Sequence, residues 1–341
     1  MGQTLIDTVY IEESIKNHPR TESILLRFGK ARHILIERYG EVFNKRSQNF
    51  RLQKSSPALI LARKHSGHIL SVPDSFGIGG KKNFYFAHMS NCIYDCRYCF
   101  LQGMFVSANY LLFINFEDFD EEMDKLIRES PEDELTFFSG YDCDSLAFEN
   151  ITGFVSHVLP FFEKHKSATL ELRTKSVQIR PLDLITPIEN CVIAYSLMPS
   201  AMSKALDHKA PSIESRLVAM EKIANMGWKI GLRFDPLIYG RNWKSHYQSL
   251  FEQVFSTVPK DSIHSVSYGP LRFPQSMFRK IFKLYPEEEL FSGFLAPRNS
   301  VVAYTSEIED AMANFCIEML RNFVPDTIIF QCTPEVQVVG G

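Results

Sequence analysis

The feature that most restricts the fold is a regular alternation of strand-like and helix-like segments that begins near residue 83. Six segments rich in apolar, β-branched or aromatic residues predict strands, at residues 83–87, 135–139, 168–174, 191–196, 229–235 and 262–268. Segments with helical periodicity lie between most of them, at residues 119–129, 153–165, 212–226 and 245–258. Because these connections are long enough for crossovers, consecutive strands are expected to pair in parallel. The pattern therefore predicts an α/β fold.

The number of predicted strands favours an open, partial barrel, because six strands are too few for a complete eight-stranded one. The link at residues 176–190 contains Pro181 and Pro187 and is the weakest helix candidate. After the sixth strand, the sequence predicts helices at residues 275–284 and 307–323 and a closing strand at residues 327–332.

The first 82 residues differ in charge from the rest of the chain. They contain 14 Lys and Arg against 7 Asp and Glu, whereas the net charge of the whole chain is −3. Residues 1–55 predict short helices with basic turns, most clearly at residues 20–39, and residues 58–62 predict a strand. A turn-rich segment at residues 71–82 marks the expected boundary between a small basic N-terminal lobe (1–82) and a barrel (83–341). The lobe is either a phosphate-binding face or an ordinary solvated surface.

The composition also bears on the compartment. The chain has no run of 18 apolar residues, and its first 20 residues carry acids where a signal peptide would be basic and then apolar. We therefore expect a cytoplasmic protein with no membrane partner.

Of the seven cysteines, three lie within eight residues, which indicates a metal or redox site and not a disulfide framework. Cys191, Cys316 and Cys332 lie in strand or helix patterns and are expected in the core.

The clustered cysteines Cys92, Cys96 and Cys99 stand in the sequence CIYDCRYC, just after the first predicted barrel strand. Thiolates at these spacings converge on one metal group only if the backbone loops around it, and the carboxyl end of a barrel strand provides such a loop. Three ligands for a [4Fe–4S] cluster leave one iron open to bind a small chelating ligand and to pass an electron into it. The alternative is structural zinc, for which His88 is available as a fourth ligand.

The spacing Cys-x3-Cys-x-aromatic-Cys, with Tyr98 as the aromatic residue, is the signature of the radical S-adenosylmethionine (radical-SAM) superfamily. Four segments resemble the spore photoproduct lyase family within it: CIYDCRYCFLQ (92–102), DSLA (144–147), GWKIGLRFDPLIY (227–239) and SYGPLRF (267–273). The resemblance implies a partial (β/α)6 radical-SAM barrel with a small basic N-terminal lobe.

The resemblance also implies a chemistry. Superfamily members hold a [4Fe–4S] cluster on three cysteines, here Cys92, Cys96 and Cys99, and an external electron donor supplies the electron that cleaves S-adenosylmethionine to a 5′-deoxyadenosyl radical. In the family's repair enzymes this radical starts the carbon–carbon cleavage of a methylene-bridged thymine dimer in DNA, so the implied function is a DNA repair lyase. The positions that match cofactor-contacting residues are Tyr98, Ser139, Gly140, Lys175 and Ser196.

The implied partner is damaged DNA, whose lesion leaves the base stack and whose phosphates bind a basic surface in a salt-dependent way. The candidate phosphate contacts in the basic lobe are Lys45, Arg46, Arg51, Lys54, Arg63, Lys64, Lys81 and Lys82.

This chain departs from the family pattern at two positions of the hydrogen relay. The family's lyases carry a cysteine just after the second strand, which returns a hydrogen atom to the product radical. Here an ungapped alignment places Tyr141 at that position and Cys143 two residues later. Phe100 occupies the position after the third cluster cysteine, where the family favours tyrosine. Either Tyr141 or Cys143 acts beside Tyr98 as the hydrogen donor, or the substrate differs and Cys143 is an inert buried thiol.

Two alternatives to the repair lyase stay open from the sequence. One is a radical-SAM enzyme that acts on a small molecule, RNA or protein. The other belongs to a different class, an iron–sulfur sensing or binding module without radical turnover.

Overall fold

The computed structural model describes residues 6–72 and 77–332. The strands are β1 (Thr8–Glu12), β2 (Arg32–Ile36), β3 (Leu59–Ala62), β4 (Ile69–Ser71), β5 (Lys82–Phe86), β6 (Met89–Ser90), β7 (Asp95–Cys96), β8 (Tyr110–Phe113), β9 (Leu135–Ser139), β10 (Ala168–Thr174), β11 (Cys191–Ser196), β12 (Asp207–His208), β13 (Lys229–Leu237), β14 (Ile263–Pro270), β15 (Arg272–Pro274), β16 (Ala296–Arg298), β17 (Val301–Ala303) and β18 (Ile329–Gln331). The helices are α1 (Pro19–Arg27), α2 (Phe50–Ser55), α3 (Leu101–Met104), α4 (Phe116–Glu129), α5 (Glu149–Thr152), α6 (Phe154–Lys164), α7 (Arg180–Asp183), α8 (Ser200–Leu206), α9 (Ile213–Asn225), α10 (Trp243–Thr257), α11 (Gln275–Leu284), α12 (Glu289–Ser292) and α13 (Ser306–Leu320).

The larger sheet has eight strands in the order β4-β5-β9-β10-β11-β13-β14-β18. The pairs from β5 to β18 are parallel, and β4 is antiparallel to β5. Since β5 to β18 follow chain order with helices between them, the sheet curls into a half-barrel. The predicted α/β fold and partial barrel are confirmed: the six predicted strands are β5, β9, β10, β11, β13 and β14, and the closing strand is β18.

Alternation along the strands gives this sheet two different faces. On the outer face, Leu172 is fully buried under the helices. On the inner face, Glu171 and Arg233 are also fully buried and form an ion pair of 2.7 Å. Arg233 donates a second hydrogen bond of 2.8 Å to the Ser265 hydroxyl. These contacts satisfy two charges that would otherwise be costly to bury, and they fill the barrel interior below the carboxyl ends of the strands.

The second sheet has five strands in the order β2-β1-β3-β8-β6. Its pairs are parallel except β6 with β8. The strand predicted at residues 58–62 is confirmed as the central, buried β3. Since β6 and β8 follow residue 82, this sheet draws strands from both sides of the expected lobe boundary. The division of the chain at residue 82 stays a prediction.

The expectation of short helices throughout residues 1–55 is wrong in part. Helix α1 covers the start of the amphipathic stretch at residues 20–39 and ends at Arg27. Residues 8–12 and 32–36 instead form the strands β1 and β2, which pair in parallel. The physical reason is that pairing with a neighbouring strand outweighs the weak helical periodicity of so short a segment. Residues 1–5, also part of that prediction, lie outside the described residues.

The connection at residues 71–82 was expected to be turn-rich, and its residues 73–76 lie outside the described part of the chain. The weak helix between the third and fourth barrel strands is reduced to the single turn of α7. None of the helices that the structure describes is long and apolar enough to cross a membrane.

Candidate active site

The three clustered cysteines lie in the connection between β6 and β8, two strands of the five-stranded sheet, a few residues after β5 of the larger sheet. Cys92 follows β6, Cys96 lies in β7, and Cys99 precedes α3 by two residues. Strand β7 pairs antiparallel with β12, so that Cys96 stands opposite Asp207 in register. The backbone N–H of Cys99 donates to the Cys96 carbonyl at 3.1 Å, which turns the loop back on itself. One short segment that follows β5 and β6 therefore carries all three thiols, after the first barrel strand as the sequence predicts.

Polar side chains fix this cysteine loop at its start and its middle. Asn91 has a φ of +68°, and its amide donates to the Ser107 carbonyl at 2.8 Å. Asp95 is 8% exposed and lies 3.5 Å from Nζ of Lys54 and 2.9 Å from Nη1 of Arg97. Lys54 belongs to α2, so a residue that the sequence predicts as a DNA contact also joins the N-terminal region to the cysteine loop.

Asp207 connects the cysteine loop to the barrel helices. One of its carboxylate oxygens accepts a hydrogen bond from the Tyr98 hydroxyl. The other accepts from Nη2 of Arg216 at 2.6 Å and from the Ser203 hydroxyl at 3.0 Å. Arg216 is fully buried, and the pKa of Asp207 is lowered because the nearby cations outweigh the effect of burial. The ion pair therefore holds both Tyr98 and the strand that contains Cys96.

Lys175 reaches the same loop from the end of β10. Its Nζ lies 5.4 Å from the centroid of the Tyr98 ring. Its backbone N–H donates to Asp144 at 2.6 Å, and the other oxygen of that carboxylate accepts from the Thr174 hydroxyl at 2.7 Å and from the N–H of Leu146 at 3.0 Å. Asp144, part of the DSLA segment, thus ties the loop after β9 to the end of β10 and fixes the position of Lys175.

Burial raises the pKa of all three thiols. It raises the pKa of Cys92 to about 12, with Asp144 as the next cause. Burial also raises the pKa of Cys96 and of Cys99, whereas Lys175 lowers both. Each thiol is close enough to another to oppose its ionisation. A cationic group bound by all three sulfurs would remove that repulsion and release their protons.

The zinc alternative finds no ligand set in the structure. The His88 ring stacks on Phe154 with centroids 3.9 Å apart, and burial lowers its pKa to about 3. Within residues 6–72 and 77–332, no group of three or more His, Cys, Asp or Glu side chains has the geometry to hold a single metal ion. A [4Fe–4S] cube is held by its corners, so its ligands stand farther apart than those of one ion.

Both candidate hydrogen donors lie beside the cysteine loop. Tyr141 is 46% exposed, and its ring centroid lies 5.3 Å from that of Phe100, the residue after Cys99. Cys143 is 7% exposed, and burial, followed by the charge of Cys92, raises its pKa. The two positions at which the chain departs from the family pattern, Phe100 and Tyr141, are therefore in contact with each other.

The remaining predicted cofactor contacts lie at the strand ends. Ser196 ends β11, pairs in register with Arg233 and so faces the barrel interior. Gly140 has a φ of +87°, and a Cβ there would stand 2.5 Å from the Ser145 hydroxyl, so glycine is required. The Ser139 hydroxyl instead accepts from Ser145 at 3.2 Å on the outer side of β9. Their contacts with a cofactor stay predictions.

Much of the positive charge of the predicted basic lobe is compensated by acids within the molecule. Five of the eight candidates form ion pairs: Arg51 with Glu287, Lys54 with Asp95, Arg63 with Asp118, and Lys81 and Lys82 with Asp133. Lys45 and Arg46 are exposed. The role of the lobe in phosphate binding stays a prediction.

Sequence reasoning did not find Asp207 and Arg216. Asp207 stands 109 residues from its partner Tyr98 and lies in no recognisable motif. Tyr85 was also missed, although strand alternation was a usable signal: it pairs with Phe138 in register, on the inner face of the sheet. The three isolated cysteines predicted in the core, Cys191, Cys316 and Cys332, are buried.

Comparisons with known proteins identify the family of this chain. The family model described as spore photoproduct lyase matches residues 82–292. The spore photoproduct lyase of Clostridium acetobutylicum is 23% identical over 209 residues, and that of Bacillus subtilis is 22% identical over 204 residues. These matches cover 61% and 59% of this chain. The chain matches only 62% and 60% of the length of these curated relatives.

Solved structures extend the similarity in fold to nearly the whole chain. A spore photoproduct lyase mutant with bound AdoMet and dinucleoside spore photoproduct has a TM-score of 0.81 at 17% identity, over 96% of this chain and 98% of that chain. A spore photoproduct lyase complexed with dinucleoside spore photoproduct has a TM-score of 0.79 at 16% identity, over 97% and 99%. Since the family model matches more than half of the sequence, the chain belongs to the spore photoproduct lyase family.

Proposed function

We propose that the protein is a radical-SAM lyase that repairs a methylene-bridged thymine dimer, or a related damaged base, in DNA. The observation that carries the proposal is the gathering of three thiols on one segment shortly after the first barrel strand, with Lys175 and Asp207 beside them, in a chain of this family. A cytoplasmic location and an external electron donor belong to the same proposal.

The donor set fits a [4Fe–4S] cluster. Cys92, Cys96 and Cys99 are three sulfur ligands on a loop that two ion pairs hold, and thiolates are the ligands that iron–sulfur clusters prefer. Lys54 and Lys175 lie close enough to favour the thiolate forms. Three protein ligands leave room for S-adenosylmethionine at the fourth corner. When bound, the cluster and S-adenosylmethionine supply a 5′-deoxyadenosyl radical that takes a hydrogen atom from the substrate.

The chain's own residues orient these groups. Tyr98 is fixed by its hydrogen bond to Asp207 and presents its ring between the cysteine loop and Lys175. Lys175, held through Asp144, offers a cation to the carboxylate end of S-adenosylmethionine. Ser196 at the end of β11 and the backbone at Gly140 after β9, on either side of β10, would border the bound cofactor. Each of these roles needs a rigid position, which the hydrogen bonds of Asp144 and Asp207 supply.

The substrate proposal rests on family membership and on the similar structures that hold dinucleoside spore photoproduct. A flipped lesion would enter the barrel mouth near Tyr141, while exposed basic residues such as Lys45 and Arg46 contact the flanking phosphates. Because many basic side chains of the lobe form ion pairs within the molecule, few are free to neutralise DNA phosphates. We therefore expect the affinity for DNA to fall only slowly as the salt concentration rises.

The test is an anaerobic assay of the iron-loaded protein with S-adenosylmethionine, a one-electron reductant and ultraviolet-irradiated DNA that contains the dimer. We expect 5′-deoxyadenosine to form and the dimer to be converted back into two adjacent thymines that are no longer linked. Cys96→Ala should abolish both activities and reduce iron binding. Cys191→Ala, which alters a buried cysteine of β11, is the matched control and should retain both.

Two results would contradict the proposal in different ways. Iron-loaded protein that forms no 5′-deoxyadenosine is not a radical-SAM enzyme. Protein that forms 5′-deoxyadenosine but neither binds nor repairs irradiated DNA at low salt is a radical enzyme with another substrate.

A further inference from the structure

Two tyrosines meet at the mouth of the barrel, outside the set of predicted cofactor contacts. Tyr85 lies on β5 and faces inward, and Tyr141 follows β9, the next strand of the sheet. Their ring centroids are 4.4 Å apart with an angle of 36° between the planes. Phe100 contacts the other side of Tyr141, with centroids 5.3 Å apart. The three rings form a continuous aromatic contact from the cysteine loop to β5.

A carboxylic acid, Asp142, follows Tyr141 in the chain, and its charge adds to burial in raising the pKa of both tyrosines. One carboxylate oxygen of Asp142 is buried and has no hydrogen-bond partner within the described residues. Burial raises the pKa of Asp142 to about 6, and nearby Lys64 opposes the shift. The pKa of Tyr85 is raised by burial and then by Asp142. A carboxyl with a spare acceptor next to two phenols is placed to accept and return a proton.

We propose that Tyr141 and Tyr85 form a two-tyrosine hydrogen donor that completes the reaction, with Asp142 as the acid that restores its proton. The proposal rests on the proposed function and names the group that replaces the missing cysteine of the family. Tyr141 is the outer member because it is 46% exposed at the mouth of the barrel. Tyr85 is the inner member and shares the radical through the ring contact.

The reaction begins with hydrogen transfer from Tyr141. The Tyr141 O–H bond breaks, its hydrogen atom forms a C–H bond at the substrate carbon radical, and a phenoxyl radical remains on Tyr141. A hydrogen atom equivalent then passes from Tyr85 to Tyr141, which regenerates Tyr141 and leaves the phenoxyl radical on Tyr85. An external one-electron reductant supplies the electron and Asp142 the proton that restore Tyr85. Asp142 is then reprotonated from solvent.

The neighbouring residues favour tyrosine over the alternatives. Phe100 carries no transferable hydrogen, so its ring separates Tyr141 from the cysteine loop instead of extending the relay. Cys143 is 7% exposed, and the backbone of Met89 contacts its sulfur. The Tyr141 ring, in contrast, reaches the solvent side, where a flipped base would approach.

The first test separates single from multiple turnovers in the iron-loaded protein. Tyr141→Phe should lose hydrogen return even in the first turnover, with accumulation of by-products of the trapped substrate radical. Tyr85→Phe should keep the first turnover and lose at least about tenfold in the multiple-turnover rate. Both variants retain their rings and hence the packing. Tyr10→Phe, at a half-buried position of β1, is the matched control and should behave like the parent.

The second test needs neither cluster nor substrate. One-electron photo-oxidation of the cluster-free protein should join Tyr85 and Tyr141 as dityrosine, found by fluorescence and peptide mass spectrometry. Either single phenylalanine variant should abolish that cross-link, and Tyr10→Phe should not. If the parent protein forms no such cross-link, the inference that Tyr85 and Tyr141 share a radical is wrong.

The two proposals fail in distinguishable ways. If 5′-deoxyadenosine does not form, the proposed function is wrong, whereas the cross-link still reports on the tyrosine pair. If 5′-deoxyadenosine and product form normally in both tyrosine variants while Cys143→Ala loses hydrogen return, Cys143 is the donor and the two-tyrosine inference is wrong.

Discussion

The Asp207–Arg216 ion pair offers a direct test of how the cysteine loop is held. Both side chains are buried, at 1% and 0% exposure, and Nη2 of Arg216 lies 2.6 Å from Asp207. Asp207→Asn keeps the shape of the side chain but leaves the guanidinium charge without a counter-ion. Breaking a buried pair in this way costs about 3–5 kcal/mol. Arg216 keeps hydrogen bonds to the carbonyls of Pro211 and Ser196, so we expect the lower end, about 3 kcal/mol.

The assay is urea unfolding of the cluster-free protein, followed by far-ultraviolet circular dichroism. Asp183→Asn is the matched control because Asp183 also lies 2.6 Å from its partner, Lys222, but in an exposed pair. It should cost less than about 1 kcal/mol. The double variant Asp207→Asn/Arg216→Met also removes the buried guanidinium charge that Asp207→Asn alone leaves without a counter-ion. It should be at least about 1.5 kcal/mol more stable than the sum of the two single effects predicts.

Two results would refute this reasoning. One is an Asp207→Asn variant whose free energy of unfolding lies within about 0.5 kcal/mol of the parent value. The other is a double variant whose effect equals the sum of the single effects, since the two residues would then be uncoupled. Because Asp207 also holds Tyr98 and pairs with Cys96, the single variant should bind less iron on reconstitution than the Asp183→Asn control.

Three further predictions follow from buried groups elsewhere. Burial raises the pKa of Glu149 from 4.5 to about 7, so between these pH values the folded state holds a proton that the unfolded state has lost. The free energy of unfolding should therefore fall by about 1.4 kcal/mol per pH unit as pH rises through that window. Glu149→Gln should remove this slope in urea titrations at several pH values. Gly103→Ala would place a Cβ 2.6 Å from the Met277 carbonyl, between α3 and α11; thermal unfolding should show a loss of about 1–3 kcal/mol, and an unchanged midpoint would contradict that packing. Asp144→Asn keeps one acceptor oxygen; if that oxygen retains its three donors, the new NH2 group faces the Lys175 N–H in place of an acceptor. We expect a loss of about 1–3 kcal/mol in stability and weaker S-adenosylmethionine binding in calorimetry. Unaltered affinity would contradict a role of Lys175 in cofactor binding.

The barrel could be predicted from the sequence because its signals are local. Strands such as Leu135–Ser139 and Cys191–Ser196 combine buried apolar residues with clear turns at both ends, and the structure places them at the predicted positions. The N-terminal sheet could not, since β2 becomes a strand only by pairing with β1. Its residues are mostly exposed, so they carry little of the alternation that marks a half-buried strand.

The candidate site divides in the same way. The cysteine loop could be predicted because its three candidate ligands lie close together in the sequence, at a recognisable spacing. The groups that fix the loop come from distant parts of the chain. Asp207 and Lys54 meet it through β12 and α2, and nothing local distinguishes either from a surface charge. The contact of Tyr85 with Tyr141 depends on the register of β5 with β9, which a sequence pattern does not specify.

The central claim is that three thiols hold an iron–sulfur cluster with one open corner for S-adenosylmethionine. The most direct measurement is iron and sulfide analysis of anaerobically reconstituted protein, together with the electron paramagnetic resonance spectrum of the reduced cluster before and after S-adenosylmethionine is added. We expect about four irons per chain, bound through Cys92, Cys96 and Cys99, and a spectrum that S-adenosylmethionine changes. Zinc in place of iron, or a spectrum indifferent to S-adenosylmethionine, would contradict it.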